Sequence, residues 1–281
     1  MWANFHCHTR YCDGKHTVEE ITDEAFRLGL QAIGFSSHAP FMPKLPWCMS
    51  KDHFHTYLED IRTAGKLHEG LEVYAGLEVD YIPEVIGPTD FRNLLDFTIG
   101  SVHLIGGTPG IAMEIDGPHE RFKTELTRIY QGNFQEAARV YFDSTRRMIN
   151  NSRPDIVGHM DKIKIQNLQG QYFSENDLWW RDEIEQTLKE ISRQDCILEV
   201  NTRGIYQKKY PTTYPSPWVL EHAHKLGIRV TISSDAHVKT DLVREFTTAA
   251  HILLQAGYRE IHILSAGKWI SQRFNEQGLT G

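Results

Sequence analysis

WANFHCHTRYCDGKHTVEEITDEAFRLG, residues 2–29, holds one complete strand–helix unit, and its reading sets the fold class. Trp2 to His8 predicts a strand. Thr17 and Glu20 have the spacing of a capping box, in which each side chain accepts from the other residue's backbone N–H. Val18, Ile21, Ala25 and Leu28 then share one helical face, and Gly29 ends the helix.

The same alternation recurs outward from this unit. Strand signals follow at Ala32 to Ser37, Val73 to Tyr81, Phe97 to His103, Ile156 to His159, Ile197 to Asn201 and Arg229 to Ser234, with Glu260 to Ser265 a candidate eighth. Helical periodicity lies between them at Phe134 to Ile149, Glu175 to Ser192, Pro217 to Leu226 and Leu242 to Ala256. Short strands alternating with helices are parallel strands joined by crossovers, so the expected fold is an α/β barrel. No repeat or linker interrupts it. The longest irregular stretches, Pro40 to Ser50 and Gly106 to Glu120, follow strands, where barrel loops shape a substrate pocket.

Composition narrows the function classes. The chain's 281 residues at 40% apolar content suit one domain over residues 1–281. A formal charge of -7, spread along the chain, speaks against a nucleic-acid surface. Cys7, Cys12, Cys48 and Cys196 form no CxxC pair, and no disulfide is expected. Met1 to Phe5 runs straight into the first strand without a signal segment, and no stretch has the length of a membrane span. The reading is a cytoplasmic protein of undetermined oligomeric state.

Side chains two apart on a strand share a face, so His6 and His8 should project together while Phe5 and Cys7 point the other way. Glu78 with Asp80 in GLEVDY, and Asp235 with His237 in SSDAH, repeat that spacing. His38, His103 and His159 close three more strands. Six of the seven strand ends thus carry an imidazole or a carboxylate, the ligand types of zinc, iron and manganese. One such histidine would read as a hydrogen-bonded structural residue. Six converging strand ends are costly without a cation. His53, His55, His68, His119, His222, His224, His251 and His262 fall outside this pattern and read as solvated or structural. His16, in the turn after the first strand, competes with Asp13 for a ligand role. Cys7 and Cys12 read as small buried apolar residues.

HCHTRYCDG, GFSSHAP, GLEVDY, IGSVH, VGHMDK, EVNTRG and SSDAH, in this order, resemble the motifs of the polymerase and histidinol phosphatase (PHP) family, in its histidinol-phosphatase branch. The resemblance spans Phe5 to His237. It implies a distorted (β/α)7 TIM-like barrel with three divalent metal ions, zinc foremost, with iron or manganese as alternatives. Carried over by motif, His6, His8, Glu78 and Asp235 would hold one metal, and Glu78 would bridge to a second held by His103 and His159. Asp13, His38 and His237 would hold the third. Asp13 departs from the branch, where many members place a histidine nearby, and matches the wider family's HTxxSDG pattern.

The implied reaction is hydrolysis of a small phosphate monoester. Its dianionic head needs positive charge, which the metals and the cations Arg203 and Lys162 would provide, and its alkoxide leaving group needs a proton, from Asp235 or His237. Catalytic roles thus fall to Asp235, His237 and Arg203. Substrate contacts fall to Arg203, Lys162 and Asp116, with the loops Phe41 to Trp47 and Gly106 to His119 (Glu114 among them) reading the alcohol part. Histidinol phosphate is the leading substrate. A nucleotide or another small phosphate is the alternative enzyme reading, and a non-catalytic metal-binding module the third.

Overall fold

A computed structural model describes residues 1–41, 45–107 and 111–280. The chain forms β1 (Ala3–Asn4), α1 (Val18–Arg27), β2 (Ala32–Phe35), α2 (Phe54–Ala64), β3 (Glu72–Asp80) and β4 (Phe97–Ser101), then a hairpin of β5 (Leu104–Ile105) and β6 (Met113–Glu114). It continues through α3 (His119–Tyr130), α4 (Phe134–Ser152), β7 (Ile156–Val157), α5 (Leu178–Gln194), β8 (Ile197–Asn201) and the single turn α6 (Arg203–Tyr206). α7 (Pro217–Lys225), β9 (Val230–Ser233) and α8 (Phe246–Gln255) lead to a closing meander of β10 (Glu260–Ser265), β11 (Lys268–Asn275) and β12 (Gly278–Leu279).

Seven strands pair in the order β1-β2-β3-β4-β7-β8-β9, each parallel to its neighbours. The ring closes at its C-terminal rim through a parallel bridge between Cys7 and Ala236, where the His8 amide donates to the Ala236 carbonyl at 2.8 Å. This is the expected distorted (β/α)7 barrel. α1 carries the expected capping box: the Glu20 amide donates to Thr17 Oγ1 at 3.1 Å and the Thr17 amide to Glu20 Oε2 at 2.8 Å. Its apolar face packs Val18, Ile21 and Ala25 with Ile33 and Phe35 in a cluster that also holds Leu77 and Val79.

Inside the barrel the two ends differ. At the N-terminal end Phe5 meets Phe97 edge to face at 5.8 Å, and Trp269 of β11 caps Phe5 at 5.2 Å. Gly76 makes room for this stack, since a Cβ there would stand 2.4 Å from the Phe97 ring. Glu78, two residues on, opens the polar C-terminal end.

Two strand expectations need correction. The first strand is regular only over Ala3–Asn4, because Asn4 Oδ1 accepts from the His6 amide at 3.1 Å and bends the chain. Phe5 therefore points inward to Phe97, while Cys7 lies in the outer cluster with Leu77 and Val79, and the two do not share a face. Glu260–Ser265 forms a strand but not an eighth stave. Ala266 (φ 47°) and Gly267 (φ 72°) make a two-residue hairpin turn that pairs it antiparallel with β11, and the meander covers the barrel floor. Among the described residues no helix is long and apolar enough to cross a membrane.

Removing the floor's cap should cost stability without touching the rim. Trp269→Ala is expected to lose about 3 kcal/mol in denaturant unfolding, the low end for a large aromatic because Trp269 is only partly buried, with metal binding unchanged. Urea titration with parallel metal analysis checks this.

Candidate metal centre

β3, the longest barrel strand, carries Glu78 to the middle of the rim, where it is 1% exposed. Its Oε1 accepts from Ser101 Oγ at 2.6 Å and faces His159 Nε2 at 3.0 Å and His103 Nε2 at 3.7 Å. Its Oε2 faces His6 Nε2 at 3.3 Å, His8 Nε2 at 3.5 Å and His38 Nδ1 at 3.3 Å. Asp235 Oδ1 completes one side, 3.3 Å from His8 Nε2 and 3.8 Å from His6 Nε2.

These spacings suit a cation better than hydrogen bonds. Two ligands on one tetrahedral zinc at about 2.0 Å stand about 3.3 Å apart. The four contacts joining His6 and His8 to Glu78 and Asp235 run from 3.3 to 3.8 Å. His6 Nε2, His8 Nε2 and His38 Nδ1 are buried without a hydrogen-bond partner, a state that leaves desolvated polar atoms uncompensated. The donor set therefore fits divalent metal. Four groups among the described residues bring at least three such atoms together: His6, His8 and Asp235; Glu78, His103 and His159; His38, Asp80 and His103; and His8, Asp13, His38 and His237.

All nine expected ligands thus meet on one rim, although strand alternation does not place all of them. β9 ends at Ser233, and Asp235 adopts φ 52°, a left-handed conformation that aspartate tolerates. It turns toward His6 and His8, while His237, with Nδ1 3.4 Å from Asp235 Oδ1, reaches Asp13 Oδ2 through Nε2 at 3.1 Å. Gly14 lets the Asp13 turn fold back on the first strand, since a Cβ there would lie 2.4 Å from the His8 carbonyl oxygen. His16 turns away and faces Glu20 at 3.7 Å. His55, His68 and His251 pair with Glu59, Asp23 and Glu276, outside the rim. All four cysteines are free thiols.

Two further carboxylates orient the imidazoles from behind. Asp80 Oδ1 bonds His103 Nδ1, while its Oδ2 accepts from Trp47 Nε1 at 2.9 Å. Glu199, absent from the sequence-level candidates, bonds His6 Nδ1 at 2.5 Å and accepts from the His159 amide at 2.7 Å. Such contacts leave Nε2 pointing inward and raise ligand basicity. The signal for Glu199 was its i,i+2 spacing to Asn201 at another strand end.

Electrostatics ready the site for a cation. Burial pushes the Glu78 carboxyl upward, but His6, His38, His103 and the His159 hydrogen bond outweigh it and hold it well below the usual range. Burial likewise raises Asp235, and Arg203, His6, His8 and Lys162 bring it below the usual range. Burial and His237 lower His8, whereas burial of His103 is outweighed by Asp80, which lifts it to about 9. Ionised carboxylates and a neutral His8 are the forms a metal requires, and a bound cation would displace the His103 proton.

The pocket above the rim is lined by Asp13, His38, Glu78, His103, Asp235 and His237, and by Lys162, Arg203, Asp116, Glu114, Trp47 and Lys209. Lys162 Nζ lies 2.9 Å from Asp116 Oδ2 and 3.3 Å from His103 Nε2. Arg203 Nη1 donates to the Asp235 carbonyl at 2.5 Å and lies 2.7 Å from His237 Nδ1. The β5–β6 hairpin, whose second strand falls inside the stretch expected to be irregular, carries Glu114, and Asp116 follows it into the pocket. Within the two expected substrate loops, residues 42–44 and 108–110 lie outside the described residues. Behind the wall, fully buried Lys164 donates to Asp161 at 2.7 Å, Ser216 Oγ at 2.5 Å and the Thr213 carbonyl at 3.1 Å, tying the Lys162 turn to the Tyr214 loop.

The model of the PHP domain matches residues 4–203. The chain belongs to the PHP family. This PHP protein is 26% identical over 255 residues to a histidinol-phosphatase of Bacillus subtilis, covering 84% of this chain and 94% of that one. Its fold matches a Listeria monocytogenes structure described as a histidinol phosphatase candidate, with TM-score 0.76 at 23% identity over 88% and 99% of the two chains. It also matches a Lactococcus lactis histidinol phosphate phosphatase solved with zinc, L-histidinol and phosphate, with TM-score 0.68 at 19% identity over 96% and 98%.

The carboxylates predict a ranking in this PHP protein. Glu199→Gln keeps the Glu199 side chain's shape but weakens its hold on His6, and zinc affinity in chelator competition should fall about 10- to 100-fold. Glu78→Gln should cost more bound metal than Asp80→Asn, because Glu78 faces five imidazoles directly and Asp80 mainly steadies His103. Equal losses in the two variants would contradict this arrangement.

Proposed function

We propose that residues 1–281 act as one metal-dependent phosphomonoesterase that converts L-histidinol phosphate and water to L-histidinol and phosphate, a step of histidine biosynthesis. The observation that carries the reading is a rim of imidazoles and carboxylates at metal-ligand spacing with Lys162 and Arg203 beside it. The relatives named histidinol-phosphatase support the substrate.

Three divalent ions, zinc foremost, are assigned as the motif resemblance implies. His6, His8, Glu78 and Asp235 would hold one, Glu78 with His103 and His159 a second, and Asp13, His38 and His237 a third. Bound metal supplies Lewis acidity and an acidified water. The protein's own groups then have distinct tasks. Lys162 is held cationic: burial disfavours its charge, but Asp116, Asp235 and Glu78 outweigh that effect. Arg203 is likewise fixed by Asp235, so both offer permanent charge to a phosphate dianion.

For the leaving-group proton, His237 has Nδ1 against Arg203 and Nε2 against Asp13. Asp235 Oδ2 is less committed, with Asn201 Nδ2 at 3.4 Å and Lys162 Nζ at 4.0 Å, and, being ionised, is assigned the relay that takes the proton released by the attacking water and passes it to the leaving alkoxide. Glu114 and Asp116 line the pocket as carboxylates able to accept the ammonium and imidazole of histidinol.

A phosphomonoester panel tests this reading. Histidinol phosphate should exceed nucleoside monophosphates and an aryl phosphate in kcat/KM by at least about tenfold, or roughly 1.4 kcal/mol of differential transition-state binding. A nucleotide that outperforms it would move the assignment to that substrate class.

Metal analysis is a separate test. The reconstituted protein should hold two to three equivalents of transition metal, and chelation should abolish turnover. One equivalent or fewer would end the trinuclear assignment, and turnover surviving chelation would end the mechanism.

A further inference from the structure

Three cations line the pocket, and two of them are already engaged. Lys162 is paired with Asp116, and Arg203 with the Asp235 carbonyl and His237. Among the described residues no carboxylate lies within 4.0 Å of the third, Lys209. Its backbone is nevertheless fixed. Lys208 takes φ 55° and the Lys209 amide donates to the Gly204 carbonyl at 2.9 Å, so the chain turns back over α6. The next residue is anchored too, because Tyr210 Oη donates to Glu175 at 2.8 Å. Lys209 also lines the neighbouring groove bounded by Asp116, Pro118, Ile165 and Leu168, and so stands between the two hollows.

We propose that Lys209 grips the substrate's phosphate from the mouth side of the pocket, in the bound state and the transition state alike. The inference rests on the phosphomonoesterase reading above. Partial burial, and then Arg203 and Lys162, hold the Lys209 ammonium below the ordinary lysine range, so an arriving anion relieves repulsion already present. The metal rim and the two paired cations lie deeper. A contact made equally in bound and transition states lowers KM and leaves kcat nearly unchanged.

The test uses zinc-loaded wild type, Lys209→Ala and Lys209→Arg. Calorimetry with inorganic phosphate measures binding without turnover, and steady-state assays with histidinol phosphate separate KM from kcat. Lys209→Ala should weaken phosphate binding and raise KM by about tenfold each, the loss of one exposed charge-assisted contact. Its kcat should stay within about twofold and its zinc content should be unchanged. Lys209→Arg should recover most of the KM, since it keeps the charge. Added salt should narrow the gap between wild type and Lys209→Ala by screening the exposed charge.

Unaltered phosphate affinity in Lys209→Ala, or a fall in kcat in place of a rise in KM, would overturn the assignment. A wild type that binds phosphate but hydrolyses no phosphomonoester would overturn the enzymatic reading alone, and calorimetry would still decide on Lys209. A wild type that binds no phosphate would overturn both.

Discussion

The buried Glu78 carboxylate is the constraint around which the barrel rim is organised. A carboxylate at 1% exposure is expensive to desolvate, and among the described residues Ser101 is the one hydroxyl that relieves it directly. The remaining compensation comes from imidazoles reached from four other strand ends. Those that turn Nε2 inward need Nδ1 controlled, and Glu199 and Asp80 do this for His6 and His103. The requirement propagates outward. Glu199 also holds the His159 amide, and Asp80 holds Trp47 in the pocket wall, so one buried charge sets the positions of β7, β8 and the Trp47 turn.

The floor of the barrel supplies what the rim cannot. Imidazoles and carboxylates at 3.3–3.8 Å from one another contribute little cohesion without a cation. The Phe5–Phe97–Trp269 stack is apolar and closely packed, and it closes the opposite end of the same strands. β3 shows the division within nine residues: Gly76 yields space to an aromatic ring, and Glu78, on the same face, yields charge to the site.

Most of this order was legible in the chain because barrel strands end at the active rim, so a ligand's position in the sequence follows from the strand that carries it. Imidazoles and carboxylates at six of seven strand ends marked the site without any long-range information. Legibility failed where backbone conformation departs from its element. The Asn4 side chain bends the first strand and reverses Phe5. Asp235 and His237 do meet, 3.4 Å apart, but beyond the end of β9 and through a left-handed Asp235 that strand alternation does not foresee. The Ala266–Gly267 turn converts an eighth strand signal into a floor hairpin. Apolar periodicity is blind to all three, since each depends on a single local hydrogen bond or a φ angle.

Lys209 and Glu199 escaped the sequence reading for a different reason. Glu199 sits in mid-strand, where a carboxylate reads as one outward-facing polar residue, and only the barrel's curvature brings it to 2.5 Å from a histidine nearly two hundred positions away. Lys209 sits beside Lys208 in a polar turn, where two lysines read as a solvated surface; the fold separates them, because the Gly204 carbonyl holds one amide and the left-handed Lys208 directs the chain. Pairing then distinguishes the pocket's cations. Those nearest the metal rim, Lys162 and Arg203, are bound to protein oxygens and are fixed before a ligand arrives, which suits charge stabilisation at the reacting centre. Fixing costs them freedom to follow an approaching anion. A lysine on a flexible stem at the mouth, with no carboxylate within 4.0 Å among the described residues, retains that freedom, so the pocket divides binding from stabilisation by how firmly the fold fixes each of its cations.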